Sequence, residues 1–576
     1  MTSNPFRDAP APIPIDGRLG VPVHILGLRA AVAMDAWTST CSVRAELEYL
    51  VGPTSGCPLF DLRQHIDRCW LDGLEAHPDL VSDRDVGAGA FSTVRMIDRV
   101  QTANSVHRLR LAYRLATPRA ELGGDYPPVL HWSDGGRLRW SFGLADLYAG
   151  RHLEAWFPAN LPFDQFPFRL DLRMTGTQVA HSVITNATLR ATGDNRWTAE
   201  FPAWSTTMSS LVELRPSDSM ERAAASVLLP VSGRTISIEM WQERGGSERL
   251  PAQLKRTERL LASNERDYGA FDGDRFVCLL HGAAGGMEYA NATTTSADAL
   301  EHEIFHSWFA RGITPASHAD GWWDEAFTRF HDDGAMATEP FDFAEPPMEL
   351  CSRASFQRRT AANAYSDGAR FFRGVAAAIG AGRLRAVMSD LYRIRNRLPL
   401  STASLEAYLV AASGDPLLVD AFHRFVYGFA DPPSLPEITF GDATGSLADT
   451  WIRRQNDGLD IHQVPSRHTR NWVYARVSNP RSAEICRHFL VLFTISPTTL
   501  ATPSGTRYLA GIAAAPGFDL RPGETRIVSA EWQAGAGASS APQMLAATLH
   551  ARAGRPKVAI RAIGDRRVQS SGRPAP

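Results

Sequence analysis

Residues 302–325 read HEIFHSWFARGITPASHADGWWDE, and this stretch decides how the rest of the chain is understood. It opens on His302-Glu303-Ile304-Phe305-His306, an H-E-x-x-H pattern. Helical residues four apart share a face, so His302 and His306 can present two imidazoles to one metal ion. Glu303 sits one residue on and can reach a water held by that ion. A catalytic zinc site takes a third protein ligand and keeps one position open. Glu325 offers that ligand, with eighteen residues between it and His306. Leu300, Ile304, Phe305 and Trp308 give the helix an apolar surround, so both histidines are expected to point inward. The helix is predicted over 297–311, stopped by Gly312. In this reading Glu303 takes the proton of the attacking water and passes it to the leaving amine. Asp324 is a candidate for orienting a ligand histidine.

Working outward, 235–241 is a short apolar strand, 252–268 has helical spacing, and 275–281 is a second strand. That strand leads into a glycine-rich segment that continues as Gly285-Gly286-Met287-Glu288-Tyr289-Ala290-Asn291. Strands and helices mixed around the metal helix indicate an α+β catalytic domain over 225–344. Before it, 21–224 is dominated by period-two alternation. Leu109, Leu111, Tyr113 and Leu115 alternate with arginines, and so do Phe168, Leu170, Leu172 and Met174 with charged residues. Turns such as Gly123-Gly124-Asp125 and Gly135-Gly136 separate these strands. After the catalytic region, 345–460 is rich in helix formers, and Asp415-Pro416 marks a helix start. Strand signals return over 461–564 and suggest a β-sandwich. A flexible lead-in (1–20) and a disordered tail (565–576) complete the division. The expected fold class is multidomain α+β.

The chain has 576 residues, too many for one core. Its formal charge is -2, which gives no global attraction to nucleic acid or to an anionic membrane. Six scattered cysteines without C-x-x-C spacing argue against a disulfide framework or a cysteine-bound metal. No run of eighteen apolar residues exists, and the Pro-rich start lacks a signal-peptide core, so a cytoplasmic enzyme is expected.

HEIFHSW, the eighteen-residue gap and the Trp-x-x-Glu ending resemble the gluzincin zinc aminopeptidases, the family of aminopeptidase N and leukotriene A hydrolase. The glycine-rich motif is closer to the G-G-x-E form of the glycyl aminopeptidases. The resemblance implies an N-terminal β-saddle, a thermolysin-like zinc catalytic domain, an α-helical domain and, in some members, a β-sandwich. It implies one zinc per chain on His302, His306 and Glu325, with Glu303 as general base. Glu288 corresponds to the residue that binds the substrate's free α-amine, although Tyr289 stands where the family has asparagine. Tyr365, in Tyr365-Ser366-Asp367-Gly368-Ala369, corresponds to the tyrosine that stabilises the oxyanion, with Asp367 in place of the usual lysine. Gly285 and Gly286 would offer backbone groups to the substrate. The expected partner is a peptide with a free N-terminus. Two alternatives stay open: a same-fold hydrolase of a specialised biosynthetic peptide or non-peptide substrate, and a non-catalytic, zinc-stabilised binding module.

Overall fold

The computed structural model describes residues 4–87, 92–118, 130–334, 337–354, 356–431, 438–441, 449–466, 469–480, 484–497, 513–533, 543–552 and 557–563. The turn expected at Gly123-Gly124-Asp125 and the tail from 565 lie outside the described residues. Two compact units form. Unit one comprises Met1–Ala335, Ser352–Phe372 and Met388–Ser401; unit two comprises Met336–Cys351, Arg373–Val387 and Thr402–Pro576. Sheet and helix are mixed, and no described helix is long and apolar enough to cross a membrane.

In unit one the alternating segments pair as their pattern dictates. Arg18–Asp35 and Thr40–Val51 form a long antiparallel pair, flanked by Val106–Arg114 on one side and Phe168–Thr175 on the other. Leu109, Leu111 and Tyr113 are buried while Arg108, Arg110 and Arg114 face solvent, so the period-two reading translates directly into one dry and one wet face. Within the segment read as a lead-in, Ile13–Ile15 pairs with the start of the long strand. A second sheet runs Leu130–Ser133, Arg137–Ser141, Val212–Pro216, His181–Thr185. Trp140, Phe142, Trp156 and Phe157 interlock in the core beside it, with ring centroids 5.6 to 6.3 Å apart.

The region preceding the His302 helix is built on a five-stranded sheet, ordered Met220–Leu228, Thr235–Glu243, Arg275–Leu280, Ala292–Thr295, Gly286–Tyr289. Thr235–Glu243 and Arg275–Leu280 are parallel, joined through the helix Leu250–Tyr268, whose buried Leu254 and Leu261 lie on one stripe. Gly286–Tyr289 is an edge strand, paired antiparallel to Ala292–Thr295 alone. Unit two holds the helix Thr402–Ser413 and the short helix Leu417–Ala421, which the Asp415 carboxylate opens by accepting the Leu417 N–H at 2.9 Å. It also holds two four-stranded sheets, and Val473, Val477, Phe489, Val491, Phe493 and Leu545 belong to one shared core.

Candidate metal centre

The helix carrying His302 spans only Leu300–Phe305, not 297–311 as the sequence suggests. Beyond it the turns first tighten, Ser307 N–H donating to Ile304 O and Trp308 N–H to Phe305 O at 3.0 and 2.9 Å, and then widen: the N–H of Arg311 donates to His306 O and that of Ile313 to Trp308 O, both at 2.9 Å. Ala310 adopts φ +144°, a region costly for a residue with a Cβ and incompatible with a continuing helix. The break therefore precedes Gly312.

His302 and His306 still share a face, with ring centroids 4.7 Å apart. The Nδ1–H of His302 donates to Asp332 Oδ2 at 2.7 Å, and that of His306 to the carbonyl of Phe309 at 3.0 Å. Each Nδ1 faces an oxygen that can only accept, so in the neutral imidazole the Nε2 carries the lone pair. The two Nε2 atoms lie 3.2 and 3.5 Å from Glu325 Oε2. A lone pair facing a carboxylate at that range requires a cation or a proton between them. The ligand atoms of His302, His306 and Glu325 fall within 4.8 Å of one another, and two imidazoles with one carboxylate are the donor set of an open zinc site. The residues fit the ion. Without a cation there, burial works against charge on His302, but its bonds to Asp332 and Glu325 prevail and lift it to about 10.

Glu325 lies on the helix Trp322–Asp332, whose Trp322, Trp323, Phe327 and Phe330 are buried. Thr328 and Asp332 stand three and seven residues after Glu325 and share its face. That spacing brings Thr328 Oγ1 to 3.2 Å from His306 Nδ1 and Asp332 onto His302. The role sought for Asp324 thus falls to Asp332. Asp324 is fully buried, and neither of its carboxylate oxygens has a hydrogen-bond partner among the described residues.

Glu303 is 5% exposed, and its Oε2 has no hydrogen-bond partner among the described residues. Burial and the nearby Glu288 charge push its carboxyl up to about 8, against the pull of His302 and His306. The edge strand passes directly over it: a Cβ on Gly286 would lie 2.6 Å from Glu303 Oε1, so any side chain there would push the carboxylate aside. Gly285 takes the left-handed φ of +82° that starts this strand.

Glu288, on the same strand, is buried and does not face an empty pocket. Arg311 Nη2 donates to Glu288 Oε1 at 2.7 Å and reaches Asp146 Oδ2 at 3.3 Å. Glu288, Asp146 and Asp324 bring carboxylate oxygens within 4.8 Å of one another. Burial and the Glu288 charge push Asp146 up to about 6, opposed by Arg311. Sequence reading missed both Asp146 and Arg311, because Asp146 is 165 residues from its partner and carries no motif.

Tyr365 stands just before the helix Ser366–Ile379, and its hydroxyl donates to Glu325 Oε1 at 2.7 Å. The glycine of its motif has a packing reason: a Cβ on Gly368 would lie 2.5 Å from Ala326 Cβ, so this helix closes tightly on the one that bears Glu325. All eight predicted site residues thus lie on four neighbouring segments, with Tyr365 drawn to Glu325 and Glu288 to Arg311.

The fold is that of the M1 zinc metallopeptidases. The chain is similar to the M1 zinc metallopeptidase from Deinococcus radiodurans at 18% identity and a TM-score of 0.51, covering 71% of this chain and 95% of that one. It is also similar to yeast LTA4 hydrolase in complex with bestatin (14% identity, TM-score 0.50, 72% and 69% covered). A third likeness is to Legionella pneumophila aminopeptidase A in complex with aspartic acid (11% identity, TM-score 0.52, 93% and 58% covered). No protein-family model matches the sequence, and comparison with curated proteins finds no match.

Proposed function

We propose that the chain is a zinc-dependent aminopeptidase. One observation carries the reading: two imidazole lone pairs and a carboxylate converge beside a buried glutamate with an unpartnered oxygen, within an M1 fold. His302, His306 and Glu325 would hold one zinc ion. When bound, it supplies Lewis acidity and brings the pKa of a water to about 7. Glu303 takes the proton of the attacking water and returns it to the leaving amine. Tyr365 turns its O–H from Glu325 to the developing oxyanion. Gly285 and Gly286 offer backbone groups along the edge strand, and Glu288 anchors the substrate's ammonium. In domain terms, 21–224 would be the β-saddle, 225–344 the thermolysin-like domain, 345–460 the helical domain and 461–564 the β-sandwich.

The test is hydrolysis of aminoacyl chromogenic substrates with and without chelator, alongside Glu303→Gln. Turnover is expected to be chelator-sensitive and to fall by about 10²–10⁴-fold in the variant, with metal content unchanged. Undiminished turnover in Glu303→Gln would remove the general base. The ion pair between Arg311 and Glu288 favours a second reading, in which a same-fold hydrolase acts on a specialised substrate whose amine is not read. Equal rates on free and N-acetylated peptides would select it.

A further inference from the structure

The five-stranded sheet of unit one has two edges. Gly286–Tyr289 forms one and lies over Glu303; Met220–Leu228 forms the other and pairs with Thr235–Glu243 alone. All nine residues of Met220–Leu228 stand in register with that neighbour, from Met220 opposite Glu243 to Leu228 opposite Thr235, without a bulge. The backbone groups that point away from Thr235–Glu243 meet no other strand among the described residues. Arg222, Ala224, Ala225, Ser226 and Leu228 are exposed.

An open edge of this kind is a template for a further strand, and proteins ordinarily blunt it with shortness, a bulge, a proline or a central charge. Other edges in unit one are blunted in these ways. Thr188–Gly193 carries a bulge between Ala191 and Gly193, and Leu74–Ala76 is three residues long. Met220–Leu228 has no such device. Its middle reads Ala223-Ala224-Ala225-Ser226, and its two charges, Glu221 and Arg222, stand at one end. Arg222 is held by its own sheet, 3.2 Å from Glu239 and with its guanidinium 5.5 Å from the Trp241 ring. At the other end Leu228 and Val231 are 68% and 54% exposed, which leaves apolar surface beside the edge.

The strand's own sequence names its partner. An antiparallel copy that pairs all nine residues is related to the first by a two-fold axis through Ala224, the middle residue. That register sets Met220 opposite Leu228, Glu221 opposite Val227, Arg222 opposite Ser226 and Ala223 opposite Ala225. No like charges face each other, and the small central side chains let the strands reach the ordinary sheet spacing of about 4.8 Å. Each exposed Leu228 then covers a Met220 of the other copy. The same surface serves both partners, so the arrangement closes on itself and leaves no further edge of this kind.

We propose that two copies of this chain join edge to edge through Met220–Leu228, continuing one five-stranded sheet into the other. The inference rests on the sheet and is independent of the metal centre.

The full chain is followed by sedimentation equilibrium from about 1 to 100 μM, the range in which a small interface associates. A monomer–dimer equilibrium is expected. The double variant Ala224→Lys/Ser226→Lys, at two exposed positions, sets lysine against lysine on the axis and lysine against Arg222 on either side. Its dissociation constant is expected to rise about tenfold or more. Two single variants test the register. Ala224→Cys places two thiols directly opposite each other and is expected to give a disulfide-linked dimer on mild oxidation. The thiols of Ser226→Cys would stand about 13 Å apart, beyond disulfide reach, and should not cross-link. The six native cysteines are buried and do not interfere. The inference is overturned if the chain stays monomeric throughout this range, if the folded double variant associates as tightly as the parent, or if Ser226→Cys cross-links as readily as Ala224→Cys. If the double variant does not fold, the cross-linking pair decides alone.

Discussion

Arg311→Gln isolates the ion pair that sequence reading did not foresee. The guanidinium lies between Glu288 and Asp146, both 3% exposed, and contacts them at 2.7 and 3.3 Å. Removing one partner from a buried charged network leaves the others uncompensated, at a cost of about 3–5 kcal/mol. For a unit of this size that corresponds to a melting transition lower by about 4–8 °C. The sign with pH follows from Asp146, whose carboxyl already stands near 6, above its ordinary value, because of burial and the Glu288 charge. Without Arg311 it moves higher still. A carboxyl raised in the folded state contributes stability below its unfolded pKa of about 4 and loses it as pH rises through the folded value. The deficit of the variant is therefore smallest near pH 4 and largest at neutral pH. Arg311→Lys retains the charge without the planar fork and should fall between the two. Thermal unfolding of the three proteins at pH 4.5 and 7.5 measures this. A deficit below about 1 kcal/mol at pH 7.5, or one independent of pH, would refute the reasoning.

Three further outcomes are expected. Gly286→Ala places a methyl 2.6 Å from Glu303 Oε1, so kcat should drop about tenfold or more while the melting temperature changes little; unchanged kcat would show that the strand does not hold Glu303 in place. Asp332→Ala removes the acceptor that turns His302 Nε2 outward, and chelator titration should reveal metal affinity weakened about 10–100-fold. In unit two, burial pushes His550 down to about 4, below its unfolded value of about 6.5. The unfolded chain takes the proton first, so stability present above pH 6.5 is lost toward pH 4, by up to about 3 kcal/mol, and His550→Phe should flatten that acid limb in urea titrations.

Much of the local structure was legible because it repeats within one element. Alternation at 109–115 became the strand Val106–Arg114, and Asp415-Pro416 opened a helix through a bond between residues two apart. The spacing of His302 and His306 was enough for a shared face, even in a helix that ends at Phe305. The early end was not legible, because the wide turns at 306–313 depend on Ala310 accepting an unusual φ that the surrounding core imposes.

What the sequence determined by itself was periodicity and donor type: strands by period two, two imidazoles on one face by a step of four, a candidate third donor after a gap of eighteen residues. These follow from bonded neighbours and need no knowledge of distant chain. Tertiary structure alone decided which groups complete the site. Asp332 reaches His302 across thirty residues, Tyr365 reaches Glu325 across forty, and Arg311 reaches Asp146 across 165. No pattern records such pairs, because they arise from how sheets and helices close on one another in water-free contact. There an unpaired charge is costly, and a missing Cβ, at Gly286 and Gly368, lets backbone approach the buried Glu303 carboxylate or another helix.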